Sequence, residues 1–554
     1  MRSAPALVAG VLLVPALVAA QRPVSLAGRS TVYAPHGVVA TSQPLASNAG
    51  LAVLQRGGNA IDAAIAAAAV LSVVEPHMTG IGGDMFALVW LAKEKKLVAL
   101  NAAGRAGALM TRAELVKRGR TRMPSDGIET VTVPGALAGW DMLRRAHGTK
   151  PLASLLEAAI GYADQGFPVS PIIAQQWGTH VAYLSRDEGA RSTFLVNGQA
   201  PKAGDWFRNP DYARTLRTIA AEGPVALYGG ALGATLVARI KTLGGFITMD
   251  DLRKNQPTWV TPISALYKGY RLWELPPSNQ GIAALEMLRI LEPYDLKAMG
   301  HNSAAYLHHL VEAKKLAYAD LGRFVGDADH LAMPAARMLE DAFIRERRSH
   351  LNSRQAMEHT DPGPLRTASE TVYLTTADAQ GNMVSFINSN YDEFGSGVVV
   401  PGTGFILHDR GAGFTMDEGL PNTVAPGKRP FHTLIPGFVT RVGADGKDEP
   451  WMAFGVMGGA MQSQGHVQLL LNMVLFGLDA QQAIDAARFR HLAGKRLALE
   501  APITDEVRAA LTAMGHEIVD ERPVQFGGAQ AIVKLGRGWA AGSDPRKDGH
   551  AAVY

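Results

Sequence analysis

A mixed α/β (α+β) fold, with helices covering a mixed sheet, is what the sequence predicts, on three observations. Residues 151–354 read mostly as helix, with Ala/Leu periodicity in stretches such as 304–325 and turns such as Pro276-Pro277-Ser278-Asn279 between them. After residue 370 the text changes: 371–376, 383–388, 397–400, 434–439 and 529–535 are β-branched or aromatic and separated by Gly/Asp/Asn turns, so strands are expected there. No low-complexity tract or fixed-period repeat divides the 554 residues, which favours one large domain or two merged halves.

Taken in order, the first residues carry Arg2, an uncharged Ala/Val/Leu stretch and the small residues Val18-Ala19-Ala20. That pattern predicts a signal peptide over 1–20, cleaved after Ala20, and hence export to the periplasm or medium without a stable membrane anchor. Gly57-Gly58-Asn59 opens an Ala-rich run, 60–74, whose small side chains suit an interior helix packed closely on its neighbours. The other long uncharged stretch, 451–478, holds glycines, glutamines, Asn472 and His466, and fits a buried strand, turn and helix better than a membrane span. The glycines at 536 and 538 have a loose dinucleotide spacing, but Gly542-Ser543-Asp544-Pro545 cannot open a helix, so a turn is expected.

Composition excludes several functions. The 47% apolar and 19% charged residues describe a folded globular chain, and the net charge of +4 is interspersed, with no basic stripe for nucleic acid. The absence of cysteine removes disulfides, thiolate zinc sites, iron–sulfur clusters and a cysteine nucleophile. No G-x-S-x-G, H-E-x-x-H or P-loop is present.

The informative region is a hairpin: 371–376 as a strand, Asp378 to Asn382 as a turn, and 383–388 as the return. With the turn centred on Gln380, Thr371 faces Ser389. A Thr opening a strand after a polar, Pro-containing stretch can act as an N-terminal nucleophile once the chain is cut before it. The freed α-amine, which titrates near pH 8, would then serve as its base. Most Thr at such places only fit the pleat, and both readings stand on spacing alone. Gly458-Gly459 leaves two unshielded N–H groups at a helix entry, the arrangement of an oxyanion site or of an ordinary tight turn.

These residues and others resemble the γ-glutamyltransferase family. The runs 36–46, 57–64 and 80–83 look like its opening, and Val133-Pro134-Gly135, Lys428-Arg429-Pro430, Ala487-Arg488-Phe489 and Ser543-Asp544-Pro545-Arg546 extend the match over nearly the whole mature chain. The resemblance implies the four-layer αββα sandwich of N-terminal-nucleophile hydrolases, made as a precursor that cuts itself into a large subunit, 21–370, and a small one, 371–554. It implies Thr371 as nucleophile, Ser389 as assisting hydroxyl, and Gly458 and Gly459 as oxyanion glycines, with no metal or organic cofactor. Arg105, in Gly104-Arg-Ala-Gly107, matches the arginine that pairs with the donor's α-carboxylate.

Three departures are visible. The Asp-Asp-Phe that holds the donor's α-ammonium becomes Ala412-Gly413-Phe414, the Ser-Ser pair becomes His432-Thr433, and the binding Asn becomes Tyr391. Tyr391, His432 and Thr433 are therefore expected to line the substrate pocket, with Asp392, Glu393 and Asp409 near enough to replace the lost acid. The expected substrate is a γ-glutamyl amide such as glutathione. The alternatives are an acylase on other dicarboxylic acid monoamides (glutaryl or oxamate-like), and an uncleaved binding protein on the same scaffold.

Overall fold

The computed structural model describes residues 28–331, 333–358 and 370–554, apart from the side chain of residue 370. The expected signal peptide lies outside them. Among the described residues no helix is long and apolar enough to cross a membrane.

Two seven-stranded antiparallel sheets form the centre. One runs His550–Val553, Val38–Thr41, Glu370–Ala377, Met383–Tyr391, Asp84–Leu91, Lys96–Ala102 and Thr258–Val260 in spatial order. The other runs Val32–Ala34, Trp539–Ser543, Gly528–Lys534, Asp448–Met457, Gly437–Val442, Tyr270–Glu274 and Ile263–Tyr267. They stack face to face. Ser385 Oγ donates across the interface to the Phe454 carbonyl (3.2 Å), and the Tyr373 ring lies over Gly455 so closely that a Cβ there would stand 2.5 Å from it. Helices Pro44–Gln55, Ala60–Val74 and Ala136–His147 cover the first sheet, and Gly281–Leu291, Met461–Val474 and Ala480–Asp485 cover the second. Buried apolar side chains fill the interfaces between these layers. The layers are therefore helix, sheet, sheet, helix, as the resemblance implies.

Both sheets draw strands from either side of residue 371. Helix Ala60–Val74 is buried along its whole length, and its small side chains let it lie flat on the Thr371 hairpin. Asn59 and Asp62 close a reciprocal capping box at its start (3.0 Å each way). The stretch 451–478 is a strand, a glycine turn and helix Met461–Val474, as expected. Two expectations need correction. Residues 397–400 form only an isolated Val399–Ile406 bridge, because glycines at positive φ (Gly395, Gly397, Gly402, Gly404) bend the chain on both sides. The mostly helical stretch 151–354 also holds strands Thr258–Val260, Ile263–Tyr267 and Tyr270–Glu274, at the edges of the two sheets.

Candidate active site

The hairpin register is fixed at its closed end. Asp378 Oδ1 accepts the N–H groups of Gln380 and Asn382 (3.0 Å each), while its Oδ2 accepts that of Ala60 (2.9 Å) at the start of the buried helix. Pairing then runs from Ala377–Met383 to Val372–Asn388, the register centred on Gln380. At the open end it slips by one, to Glu370–Tyr391, which leaves Thr371 in a bulge. Thr371 Oγ1 donates to Ser389 Oγ (3.1 Å), and the Tyr391 N–H donates to the same oxygen (2.8 Å). Both hydroxyls are buried. Tyr391 itself holds φ +84°, a conformation that costs a bulky residue roughly 1–3 kcal/mol and marks a constrained site.

The glycine pair joins strand Asp448–Met457 to helix Met461–Val474 with φ of +124° and +58°. Successive amides in such a turn, at the positive end of a helix, form a concavity suited to an anion. Gln280 fastens it to the site: Nε2 donates to the Gly459 carbonyl (2.8 Å) and to the Thr433 carbonyl (2.7 Å). Tyr318, in turn, donates to Gln280 Oε1 (3.1 Å).

Behind Ser389 lies a buried charged cluster. Asp84, the ladder partner of Ser389, accepts from the Gly104 and Gly135 N–H groups through Oδ1 (2.9 and 3.1 Å). Its Oδ2 meets His432 Nε2 at 3.0 Å, His408 Nδ1 at 3.4 Å and Arg410 Nε at 3.9 Å. Burial opposes the charge on Asp84, but the two histidines hold its carboxyl below the usual range. Burial and the Arg410 charge push the His432 imidazole down to about 3, against the pull of Asp84, so His432 is neutral. Arg410 lies over the Tyr391 ring at 4.3 Å, and its Nη1 donates to Thr433 Oγ1 (3.3 Å). A continuous path thus links Thr371, Ser389, Tyr391, Arg410, Thr433, Gln280 and Gly459.

The family model described as gamma-glutamyltranspeptidase matches residues 46–554. The chain belongs to this family. It is 36% identical over 525 residues to the glutathione hydrolase-like YwrD proenzyme of Bacillus subtilis, covering 93% of this chain and 98% of the relative. It is 37% identical over 505 residues to the acylase ACY 1 proenzyme of a Pseudomonas species, covering 90% and 89%. The cephalosporin acylase of Bacillus halodurans superposes with a TM-score of 0.90 at 41% identity, covering 98% of this chain and 99% of that structure. The chain is accordingly a hydrolase of the γ-glutamyltranspeptidase family with its N-terminal-nucleophile fold.

Set in this family, the other expected site residues fall unevenly. Arg105 is already engaged: Nη1 meets Asp327 (3.1 Å) and the Gly427 carbonyl (2.8 Å), Nη2 meets Asp329 (3.4 Å), and its side chain is 35% exposed. His432 turns its imidazole to Asp84 and has no solvent exposure, while Thr433 joins the path through both its hydroxyl and its carbonyl. Gly413 leaves no room for a side chain, because a Cβ would stand 2.6 Å from the Phe431 carbonyl oxygen. Of the three nearby acids, Glu393 is held by Gln176 (2.9 Å) and His180 (3.1 Å), whereas Asp409 Oδ1 accepts the Asp392 N–H (3.1 Å). Sequence reasoning missed Asp84, Gln280, His408 and Arg410. Arg410 had a signal: it sits three residues before Gly413, on the turn where the family keeps its amine-binding acid.

Proposed function

We propose that the chain is a self-cleaving N-terminal-threonine amidohydrolase that opens γ-glutamyl amides such as glutathione through an acyl-enzyme. The observation that carries this is the buried contact of Thr371 Oγ1 with Ser389 Oγ at the bulged end of the hairpin. In maturation the Thr371 hydroxyl attacks the carbonyl carbon of residue 370 and the C–N bond breaks, leaving an ester and a free Thr371 amine. Water hydrolyses the ester. The products are fragments 21–370 and 371–554, which stay together because each sheet contains strands of both.

In turnover the Thr371 amine accepts the hydroxyl proton, the oxygen attacks the amide carbonyl, and the Gly458 and Gly459 N–H groups receive the oxyanion. The amine then passes the proton to the leaving nitrogen. Water, activated by the same amine, releases the acid, and an acceptor amine in place of water would give transfer. Ser389 orients the nucleophile. The N-terminal pattern supports export to the periplasm or medium.

A second reading, acylase action on other dicarboxylic acid monoamides, is favoured by Gly413, where no acid can answer the α-ammonium of a γ-glutamyl donor. Denaturing gels of wild type and Thr371→Ala, followed by anilide release, test the proposal. A wild-type chain that stays whole and releases nothing would return the uncleaved binding protein to the lead.

A further inference from the structure

A buried guanidinium offers five N–H donors, and native interiors leave few such donors without partners. Arg410 has no solvent exposure, and its one hydrogen bond among the described residues is the 3.3 Å contact with Thr433 Oγ1. Nε and Nη2 have none. Asp84 cannot supply the deficit, since its oxygens already take two backbone N–H groups and His432, and it stands 3.9 Å from Nε. Asp392 and Asp409 are near enough to act on the Arg410 charge, yet neither bonds Nε or Nη2. A cation so placed costs several kcal/mol unless something binds it.

The position of Arg410 says what that is. It is packed on Tyr391, whose N–H holds Ser389, and bonded to Thr433, which shares Gln280 with the Gly459 carbonyl. It is thus linked to Thr371 through Tyr391 and Ser389 on one side and to the glycine turn through Thr433 and Gln280 on the other. The other arginine near the site, Arg105, has two aspartates on it. The turn Arg410–Gly413 therefore carries a buried cation with unbonded N–H groups and no acid at 413, with Asp84, Asp392 and Asp409 acting on its charge from outside the turn.

We propose that Arg410 is the residue that reads the acyl group of the substrate, by pairing Nε and Nη2 with a distal carboxylate. The preferred donors are then monoamides of short dicarboxylic acids, and an α-amine adds nothing. This rests on the Thr371 amidohydrolase reading and narrows it. Planar guanidinium and carboxylate match bidentately, which Lys cannot reproduce.

The test compares glutaryl, γ-glutamyl and butyryl p-nitroanilides on purified wild type, Arg410→Gln, Arg410→Lys and Arg105→Gln. Wild type is expected to prefer glutaryl over butyryl by about 100-fold in kcat/KM, the scale set by a charged pair in a closed site. It should accept γ-glutamyl no better than glutaryl. In Arg410→Gln the glutaryl-to-butyryl ratio falls to within a few-fold of one, and Arg410→Lys is intermediate. Calorimetric titration of wild type and Arg410→Gln with glutarate and with butyrate gives a readout independent of turnover: wild type should bind glutarate at least about tenfold more tightly than butyrate, and Arg410→Gln should lose that preference. Equal binding of the two acids, or a ratio lost in Arg105→Gln but kept in Arg410→Gln, would overturn the assignment. A wild type that neither matures nor releases any anilide would instead break the amidohydrolase reading, while the titration still judges Arg410.

Discussion

Two buried arginine clusters within residues 371–554 are built on opposite principles. Around Arg488 both terminal nitrogens are answered twice: Nη1 by the Phe526 and Gly527 carbonyls (3.0 and 3.2 Å), Nη2 by Ile484 and Asp544 (3.1 and 2.6 Å). Arg546 joins the same Asp544 (3.2 Å) and bonds Glu500 as well. Around Arg410 there is a single 3.3 Å bond and an aromatic face. A satisfied network locks chain segments together, whereas an unsatisfied one holds binding energy in reserve for a ligand. The first cluster belongs to the fold and the second to the chemistry. Substitutions on the two should separate stability from activity.

The largest effect lies wholly on the chemical side. Thr371→Ala removes the nucleophile of both maturation and turnover, so the chain should run as one band on a denaturing gel, with amide release lower by on the order of 10⁴-fold or more. Its thermal midpoint should stay within a few degrees of wild type, because the packing loses only one methyl group and the hydroxyl's bond to Ser389.

On the structural side, Asp544→Ala strands two buried guanidinium groups and the Ala529 N–H that Asp544 also accepts (2.7 Å). Breaking a buried pair in this way costs about 3–5 kcal/mol, to be read as a lower thermal midpoint or lost soluble protein. Burial opposes ionisation of Asp544, yet Arg488 and Arg546 hold its carboxyl below the usual range. Its contribution is therefore present above the unfolded carboxyl pKa and fades as pH falls through the depressed folded one. Arg410→Met should behave in the opposite way, with a midpoint lowered by less than about 1 kcal/mol or raised, since it removes a buried guanidinium whose Nε and Nη2 the fold leaves without hydrogen bonds. Equal losses from the two substitutions would erase the distinction between the clusters.

Much of this was legible before any coordinates. The helix Ala60–Val74 was expected over those residues because an Ala run behind Gly57-Gly58-Asn59 has few other places to go. The hairpin register followed from the Asp-to-Asn turn alone. The first-half strands were hidden because Asp84–Leu91, written Asp-Met-Phe-Ala-Leu-Val-Trp-Leu, suits either a buried helix or a buried strand. It pairs on one side with the next strand, Lys96–Ala102, and on the other with Met383–Tyr391, some 300 residues away, and no local pattern carries the second pairing. The signal for Arg410, its place three residues before Gly413, was outweighed because an arginine in a loop is usually solvated, and its burial depends on the segments of Asp84, Tyr391 and Thr433 meeting around it.

Ser389 sits between the two kinds of role. Ser389→Ala deletes the oxygen that receives Thr371 and strands the buried Tyr391 N–H. Losing an orienting hydrogen bond in the transition state costs roughly 1.5–3 kcal/mol, about 10- to 100-fold in kcat. The unmet N–H costs a further 1–3 kcal/mol or so of stability. Maturation should slow in proportion to turnover, since both use the same hydroxyl, and gels taken over a time course would show it. Normal maturation with slowed turnover would assign Ser389 to substrate alone.

The smallest effect concerns a third buried cation that escapes the problem of Arg410 by a route closed to arginine. Lys314 is buried between His491 Nδ1 (2.9 Å) and the ring of Tyr318 (4.0 Å), the residue that donates to Gln280 behind the glycine turn. Burial, with the charges of Arg490 and Lys315, pushes its ammonium down to about 7. A lysine can shed its proton under such pressure, and a guanidinium cannot. The unfolded chain titrates Lys near 10.4, so between the two values it binds more protons than the folded protein does, and stability rises with pH across that window. Below about 7 both states are protonated and the full penalty of the buried charge is felt. The gain from pH 6 to pH 8 is about 1.4 kcal/mol from this group. Lys314→Met should remove that part of the pH response, raising the thermal midpoint at pH 6 relative to wild type and leaving the two proteins closer at pH 8. Parallel curves for the two proteins over this range would show that Lys314 keeps its proton, paired as firmly as Arg488.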